Sequence, residues 1–155
     1  MRSSYLEDNS SLTGGHFKKI KRVVADYTMT EEDSGVILMV NPTATTAITL
    51  PTLASAPIGW NATILITEDT DGSDGGMNQI VNVDFGSGND VVGHLVSIAD
   101  AAGDTAVNND DFINFTAAAS PGDRVEVFSD GLRWYVLGVV AAAASDALFH
   151  TAAAS

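Results

Sequence analysis

Apolar and polar residues alternate with a period of two over much of the middle of this chain, and Gly, Pro, Asn and Asp punctuate the alternation. That period puts successive side chains on opposite faces of an extended segment, so the pattern predicts short strands rather than helices. The plainest case is Asp123 to Gly138, DRVEVFSDGLRWYVLG. Two strand-forming runs flank Asp130-Gly131, and Asp-Gly suits a two-residue type I′ turn because both central residues take positive φ. With that turn Phe128 faces Arg133, Val127 faces Trp134, Glu126 faces Tyr135 and Val125 faces Val136. Val125, Val127, Trp134 and Val136 then make an apolar face that must be buried. Glu126, Phe128, Arg133 and Tyr135 make an amphipathic face suited to a subunit interface, with a cation–π contact between Phe128 and Arg133.

The same reading places strands ahead of the hairpin. Val23, Val24 and Tyr27 are strand-prone, and Val36 to Val40 is apolar throughout, which predicts burial on both faces. Thr45 to Leu50 runs up to Pro51, and Ala62 to Thr67 puts Ile64 and Ile66 on one face and Leu65 on the other. Val81, Val83 and Phe85 alternate with Asn82 and Asp84; Val91 to Ile98 and Phe112 to Thr116 follow, separated by a polar loop over Ala99 to Asn109. About nine short strands without an amphipathic helix between them predict an all-β fold, an antiparallel β-sandwich or jelly roll. Residues 1–22 read as a polar N-terminal arm, 23–139 as the β-domain and 140–155 as an alanine-rich tail. In that tail Ala141 to Leu148 has the composition of a short helix. Thr-Ala-Ala-Ala-Ser occurs at 116–120 and again at 151–155, which is low complexity rather than a repeat array.

Charge narrows the partners. Twenty acidic and seven basic residues give −13, and no Lys or Arg lies between Val23 and Asp123. Such a body offers phosphates no cationic surface, so nucleic acid is not an expected partner. Lys18, Lys19, Lys21 and Arg22 stand together before the first strand, either as a solvated run or as a grip on an acidic partner. The absence of cysteine excludes disulfides, thiolate metal sites and cysteine nucleophiles. No apolar run approaches the roughly 20 residues of a membrane span, and the N-terminus has no signal-like apolar core. The expectation is a soluble protein, made in the cytoplasm, with no membrane partner.

Candidate chemistry is sparse. Glu68 to Asp74 gathers four carboxylates in seven residues, but Asp74 and Ile80 break the calcium-loop frame, which leaves an acidic turn. Gly86 to Val92 matches part of a calcium-binding nonapeptide but occurs once, whereas that architecture needs stacked copies. His16, His94 and His150 are too scattered for zinc or a triad, and His94 is expected in the core or at an interface. The sequons at Asn9, Asn61 and Asn114 read as chance. Trp60, beside Gly59 at the start of a strand, is the better candidate for an exposed aromatic that stacks on sugar, while the hairpin register assigns Trp134 to the core. No catalytic residue, metal or cofactor is expected.

One combination of motifs points to a family. Asp26-Tyr27-Thr28-Met29-Thr30, then Asp33-Ser34-Gly35, Ala47-Ile48-Thr49-Leu50-Pro51, the Gly59 loop and Ser129 to Gly138 resemble small β-rich structural proteins of tailed bacteriophages. These are head-decoration or head-fibre proteins and the terminal domains of tail fibres. The resemblance implies a non-enzymatic virion protein, a homotrimer with sheets packed around a threefold axis. A chain of this length suits a capsid decoration (cement) protein on the capsid exterior better than a full fibre. Its expected partner is the major capsid protein, held through the arm that carries Lys18, Lys19, Lys21 and Arg22. The alternative is a carbohydrate- or receptor-binding module of a tail fibre, with Trp60 or Tyr135 against the ligand. A polysaccharide-cleaving enzyme lacks an identifiable acid pair.

Overall fold

The computed structural model describes residues 19–67, 79–86, 91–97, 104–108, 111–116, 119–141 and 147–150. Among them the larger sheet contains β1 (Lys19–Val23), β3 (Val36–Val40), β5 (Asn61–Ile66), β7 (Val91–Ser97), β8 (Asp104–Asn108), β10 (Arg124–Ser129) and β11 (Trp134–Val140). The smaller contains β2 (Tyr27–Thr28), β4 (Thr46–Thr49), β6 (Val81–Asp84), β9 (Phe112–Phe115) and β12 (Ala147–His150). Spatial order is β1-β3-β5-β10-β11-β7-β8 in one and β12-β9-β6-β4-β2 in the other. The helical content of the described residues is one 3-10 turn, Glu31–Asp33.

From β1 to β6 the chain changes sheet at every strand, so that β1, β3 and β5 lie side by side and parallel, as do β2, β4 and β6. Parallel neighbours need a long crossover, and here a strand of the other sheet supplies it instead of a helix. Five of the ten strand pairings are parallel, so the sheets are mixed and not antiparallel as the hairpin chemistry suggests. Alternation reads the same for a strand running either way, which is why it says nothing about direction. β8 occupies the stretch expected to be loop. β12, paired with β9, takes the last two residues of the short helix expected over Ala141 to Leu148, whose residues 142–146 lie outside the described residues.

Side chains of both sheets meet in one buried cluster, with Leu38, Ile64, Val125, Val127 and Trp134 from the larger and Ile48, Val83, Ile113 and Phe115 from the smaller. Trp134 stands edge-on to Trp60 at 5.3 Å and to Phe85 at 6.4 Å. Trp60 is therefore not the exposed aromatic expected from its neighbours: it is fully buried, and its indole N–H donates to the Thr30 carbonyl at 3.1 Å. β3 buries Val36, Leu38 and Val40 but leaves Ile37 and Met39 half-buried, so its second face is not covered as the apolar run implies.

The β10–β11 hairpin keeps its predicted faces and shifts its register. Phe128 pairs with Tyr135, Val127 with Val136 and Glu126 with Leu137, two positions along from the two-residue-turn alignment. Asp130 is responsible. Its Oδ1 accepts from the backbone N–H of Leu132 at 2.8 Å and of Arg133 at 2.9 Å, which closes a four-residue loop over Asp130 to Arg133. Gly131 takes the positive φ, 86°, within it. A shift of two conserves the faces, so Val125, Val127, Trp134 and Val136 are all buried.

β1 is fastened to the 3-10 turn through a small polar cluster. Lys21 Nζ donates to the Tyr27 hydroxyl and lies 3.3 Å from Asp33 Oδ1, and Tyr27 Oη donates to Asp33 Oδ2 at 2.8 Å. The Thr30 N–H donates to the same oxygen at 2.9 Å. Burial alone would raise the Asp33 carboxyl, but the Thr30 N–H, the Tyr27 hydroxyl and the Lys21 ammonium together hold it below the ordinary aspartate value. A depressed carboxyl stabilises the fold above its unfolded pKa and loses that contribution as pH falls through the folded one. Asp33→Ala is therefore expected to cost about 2 kcal/mol at pH 7, the scale of hydrogen bonds to a charged group. The deficit should shrink below about pH 4, where unfolded aspartates protonate. Urea unfolding at pH 7 and pH 3 checks this, and equal deficits at both would show that the charge is not what matters.

Candidate interaction surface

The most extensive exposed feature among the described residues is the outer face of the larger sheet. Register builds it in three rows. Asn61, Phe128, Tyr135 and Val92 form the first, at the hairpin end. Ile20, Ile37, Thr63, Glu126, Leu137 and His94 form the second. Arg22, Met39, Leu65, Arg124, Val139 and Val96 form the third. Ile20 is 62% exposed, Leu137 52%, Phe128 47% and Val96 40%, so this apolar surface meets solvent.

The four hairpin residues expected at a subunit interface divide on inspection. Glu126, Phe128 and Tyr135 lie on the outer face, and Phe128 stacks on Tyr135 with centroids 4.9 Å apart and planes 10° from parallel. Arg133 stands in the turn, not opposite Phe128, so the stack replaces the expected cation–π pair. Tyr135 Oη donates to Asp130 Oδ2 at 2.9 Å, and this bond holds the phenol above its ordinary pKa. Asp130 is held below its own, chiefly by the N–H groups of Leu132 and Arg133. The aromatic pair is thus clamped to a pre-set turn.

The basic run divides too. Lys18 lies outside the described residues, and Lys19, Lys21 and Arg22 belong to β1, the edge strand paired with β3. Lys19 Nζ reaches the Ser34 carbonyl at 3.3 Å and Lys21 is engaged by Tyr27 and Asp33, both on the core side of the strand. Arg22 points the other way, onto the outer face. Cationic side chains on a sheet edge also discourage a foreign strand from adding to it.

Ile20 and Leu137 were not singled out by the sequence reading. Leu137 was within reach, since it follows Tyr135 by two and period-two alternation puts both on one face. Ile20 is hidden among lysines. His94 takes the exposed position beside Leu137. Of the sequons, Asn61 is exposed but Asn114 is buried opposite Asn82. The acidic tract Glu68 to Asp74, His16 and residues 87–90 of the glycine turn lie outside the described residues.

Two clefts are lined by described residues. A cleft of about 260 Å³ lies between Arg22, Val24, Met39 and Thr67, and another of about 270 Å³ between Asp26 and Thr45. Among the described residues no three His, Asp or Glu side chains gather as a metal site, and no helix is long and apolar enough to cross a membrane. Comparison with family models, with curated proteins and with solved structures gives no match.

Proposed function

We propose that this chain is a non-enzymatic structural protein of a tailed-bacteriophage particle, a capsid decoration protein that binds the outer surface of the shell and stabilises it. The observation that carries the reading is the broad, apolar outer face of the larger sheet, a surface shaped to meet another protein rather than to enclose a small ligand. The residues behind the resemblance support it in a second way, because they serve the scaffold. Asp26 Oδ1 accepts from the Ala47 N–H at 2.8 Å, Asp33 ties β1 to the 3-10 turn, and Leu50 and Trp134 are core. In this reading the two sheets pack face to face as a sandwich, the protein is a homotrimer and its other partner is the major capsid protein. No cofactor, nucleic acid or membrane is involved. Several weak contacts held together by a trimer give tight binding to a repeating shell.

Residues 1–18 carry the grip on the shell in this proposal, with Lys18 at their end. Deleting residues 1–18 leaves β1 in place to cover the edge of β3. The deletion should weaken binding to purified capsids by at least about tenfold, as loss of one arm of a multivalent contact does, while circular dichroism stays that of the intact protein. Electron microscopy of mixed particles and cosedimentation read the result, and undiminished binding would sink the assignment.

The exposed Phe128–Tyr135 stack favours a second reading, a carbohydrate- or receptor-binding module of a tail fibre. Burial of Trp60 and Trp134 removes the tryptophans from that role. A glycan array separates the two, since a cement protein shows no saccharide dependence.

A further inference from the structure

We propose that the outer face of the larger sheet docks a second copy of this chain, an inference that rests on the reading of the protein as a self-assembling structural component and names the surface it uses. Electrostatics selects the occupant. Two copies of a chain with net charge −13 repel at most approaches. On β1, β3, β5, β7, β10 and β11 the outer face carries one acid, Glu126, and two bases, Arg22 and Arg124, and β8 adds Asp104 at the position paired with Val96. With two acidic and two basic positions this face is near neutral, so it repels an identical copy far less than the net charge of the chain implies. Both arginines and Glu126 are exposed, so the arginines of one copy and the glutamate of the next are complementary.

Size agrees with that occupant. Six strands about 4.8 Å apart and five residues of about 3.3 Å rise make a face of roughly 29 by 17 Å before side-chain relief is counted. Specific interfaces bury about 800 Å² per partner, so a face of this extent is of the right order for one stable contact. Leu137 in its middle row and the Phe128–Tyr135 stack at its hairpin end are aromatic and large aliphatic side chains of the kind that anchors such contacts. The Phe128–Tyr135 stack loses little freedom on docking because the Asp130 clamp already orders it.

Salt distinguishes a second copy from an acidic foreign partner. Screening removes the repulsion between two acidic copies and leaves the apolar contact, so raising the salt from 50 to about 500 mM should tighten self-association. A contact made mainly by Arg22 and Arg124 with an acidic partner would weaken instead. The test is sedimentation velocity and light scattering of the full chain across concentration at both salts, with Leu137→Glu, Phe128→Glu and a control, Leu132→Glu. Leu132 is more exposed than Leu137, 79% against 52%, but sits in the hairpin turn, off the face.

The expected result is an oligomer that salt strengthens, weakened at least about tenfold in Leu137→Glu and Phe128→Glu and unchanged in Leu132→Glu. Circular dichroism of all three should match the parent, since the sites are exposed. A parent chain that stays monomeric at 100 µM, an oligomer that salt weakens, or one that Leu137→Glu leaves intact would each overturn the proposal. Capsid binding is measured separately. Shell binding by a monomer would sink this inference and spare the decoration reading; an oligomer that binds no shell would do the reverse.

Discussion

Replacing Gly93 with alanine will break the contact between β7 and β11. A Cβ built on Gly93 would lie 1.9 Å from the Val136 carbonyl oxygen, 2.7 Å from its carbon and 2.9 Å from its nitrogen, all backbone atoms of the paired strand. Backbone in a ladder cannot step aside without giving up its hydrogen bonds, so the strands must part. The cost should reach about 4 kcal/mol or more, the range in which single substitutions are exceptional. Gly138→Ala provides the comparison. There the nearest atom is Leu95 Cδ2 at 2.0 Å, the far end of a flexible side chain, and Val125 Cγ1 lies at 3.0 Å. Repacking of that kind costs about 1–3 kcal/mol. Urea unfolding of both variants should therefore rank Gly93→Ala well below Gly138→Ala, and equal losses would contradict the close approach of the two strands.

Trp134→Ala should be as severe, for a different reason. The side chain is fully buried, edge-on to Trp60 and Phe85, and its removal leaves a cavity under both sheets. Aromatic-to-alanine changes in cores cost about 3–5 kcal/mol. Trp134→Phe should cost much less than the volume lost suggests. The indole Nε1 of Trp134 is buried without a hydrogen-bond acceptor, and an unsatisfied buried donor costs about 1–3 kcal/mol. Phenylalanine keeps an edge-to-face partner for Trp60 and removes that donor. Denaturation midpoints should place Trp134→Phe within about 1 kcal/mol of the parent. A loss for phenylalanine close to that for alanine would mean that shape, not the stranded N–H, governs the site.

The tryptophans also show what alternation reveals. Trp134 is placed correctly by the hairpin faces. Trp60 is not, although the information is present: Trp60, Ala62, Ile64 and Ile66 are successive even positions and all four are buried. Extending the parity of β5 by one step would have found it, whereas the adjacent Gly59 suggested a loop. Most strand segments from Val36 to Gly138 follow from the same period. β8 and β12 do not, because DTAVN and ALFH are small or mixed segments whose extension comes from the partner strand. Strand direction is not written in alternation at all, and the parallel pairings appear only once the chain is folded.

The interaction surface was half legible. Glu126, Phe128 and Tyr135 follow from facing, which a register shift of two conserves, while the Phe128–Tyr135 contact depends on the register itself and so on Asp130. Ile37 and Met39 read as core because they sit in an apolar run, yet they lie on the outer face of the sheet beside Leu65. An apolar run in one chain does not distinguish a face buried by folding from one available for burial by assembly.

The alternation of β1 to β6 between sheets has a consequence for the order in which the protein can form. None of these six strands pairs with its neighbour in sequence, whereas β7–β8 and β10–β11 are local hairpins. β5 pairs onward with β10 and β6 with β9, both from the second half of the chain. On a ribosome the N-terminal half therefore emerges before the strands that complete its sheets exist. Its parallel strands are non-local pairings of the kind that form slowly, and they gain their sheet neighbours only when β10 reaches β5 and β9 reaches β6.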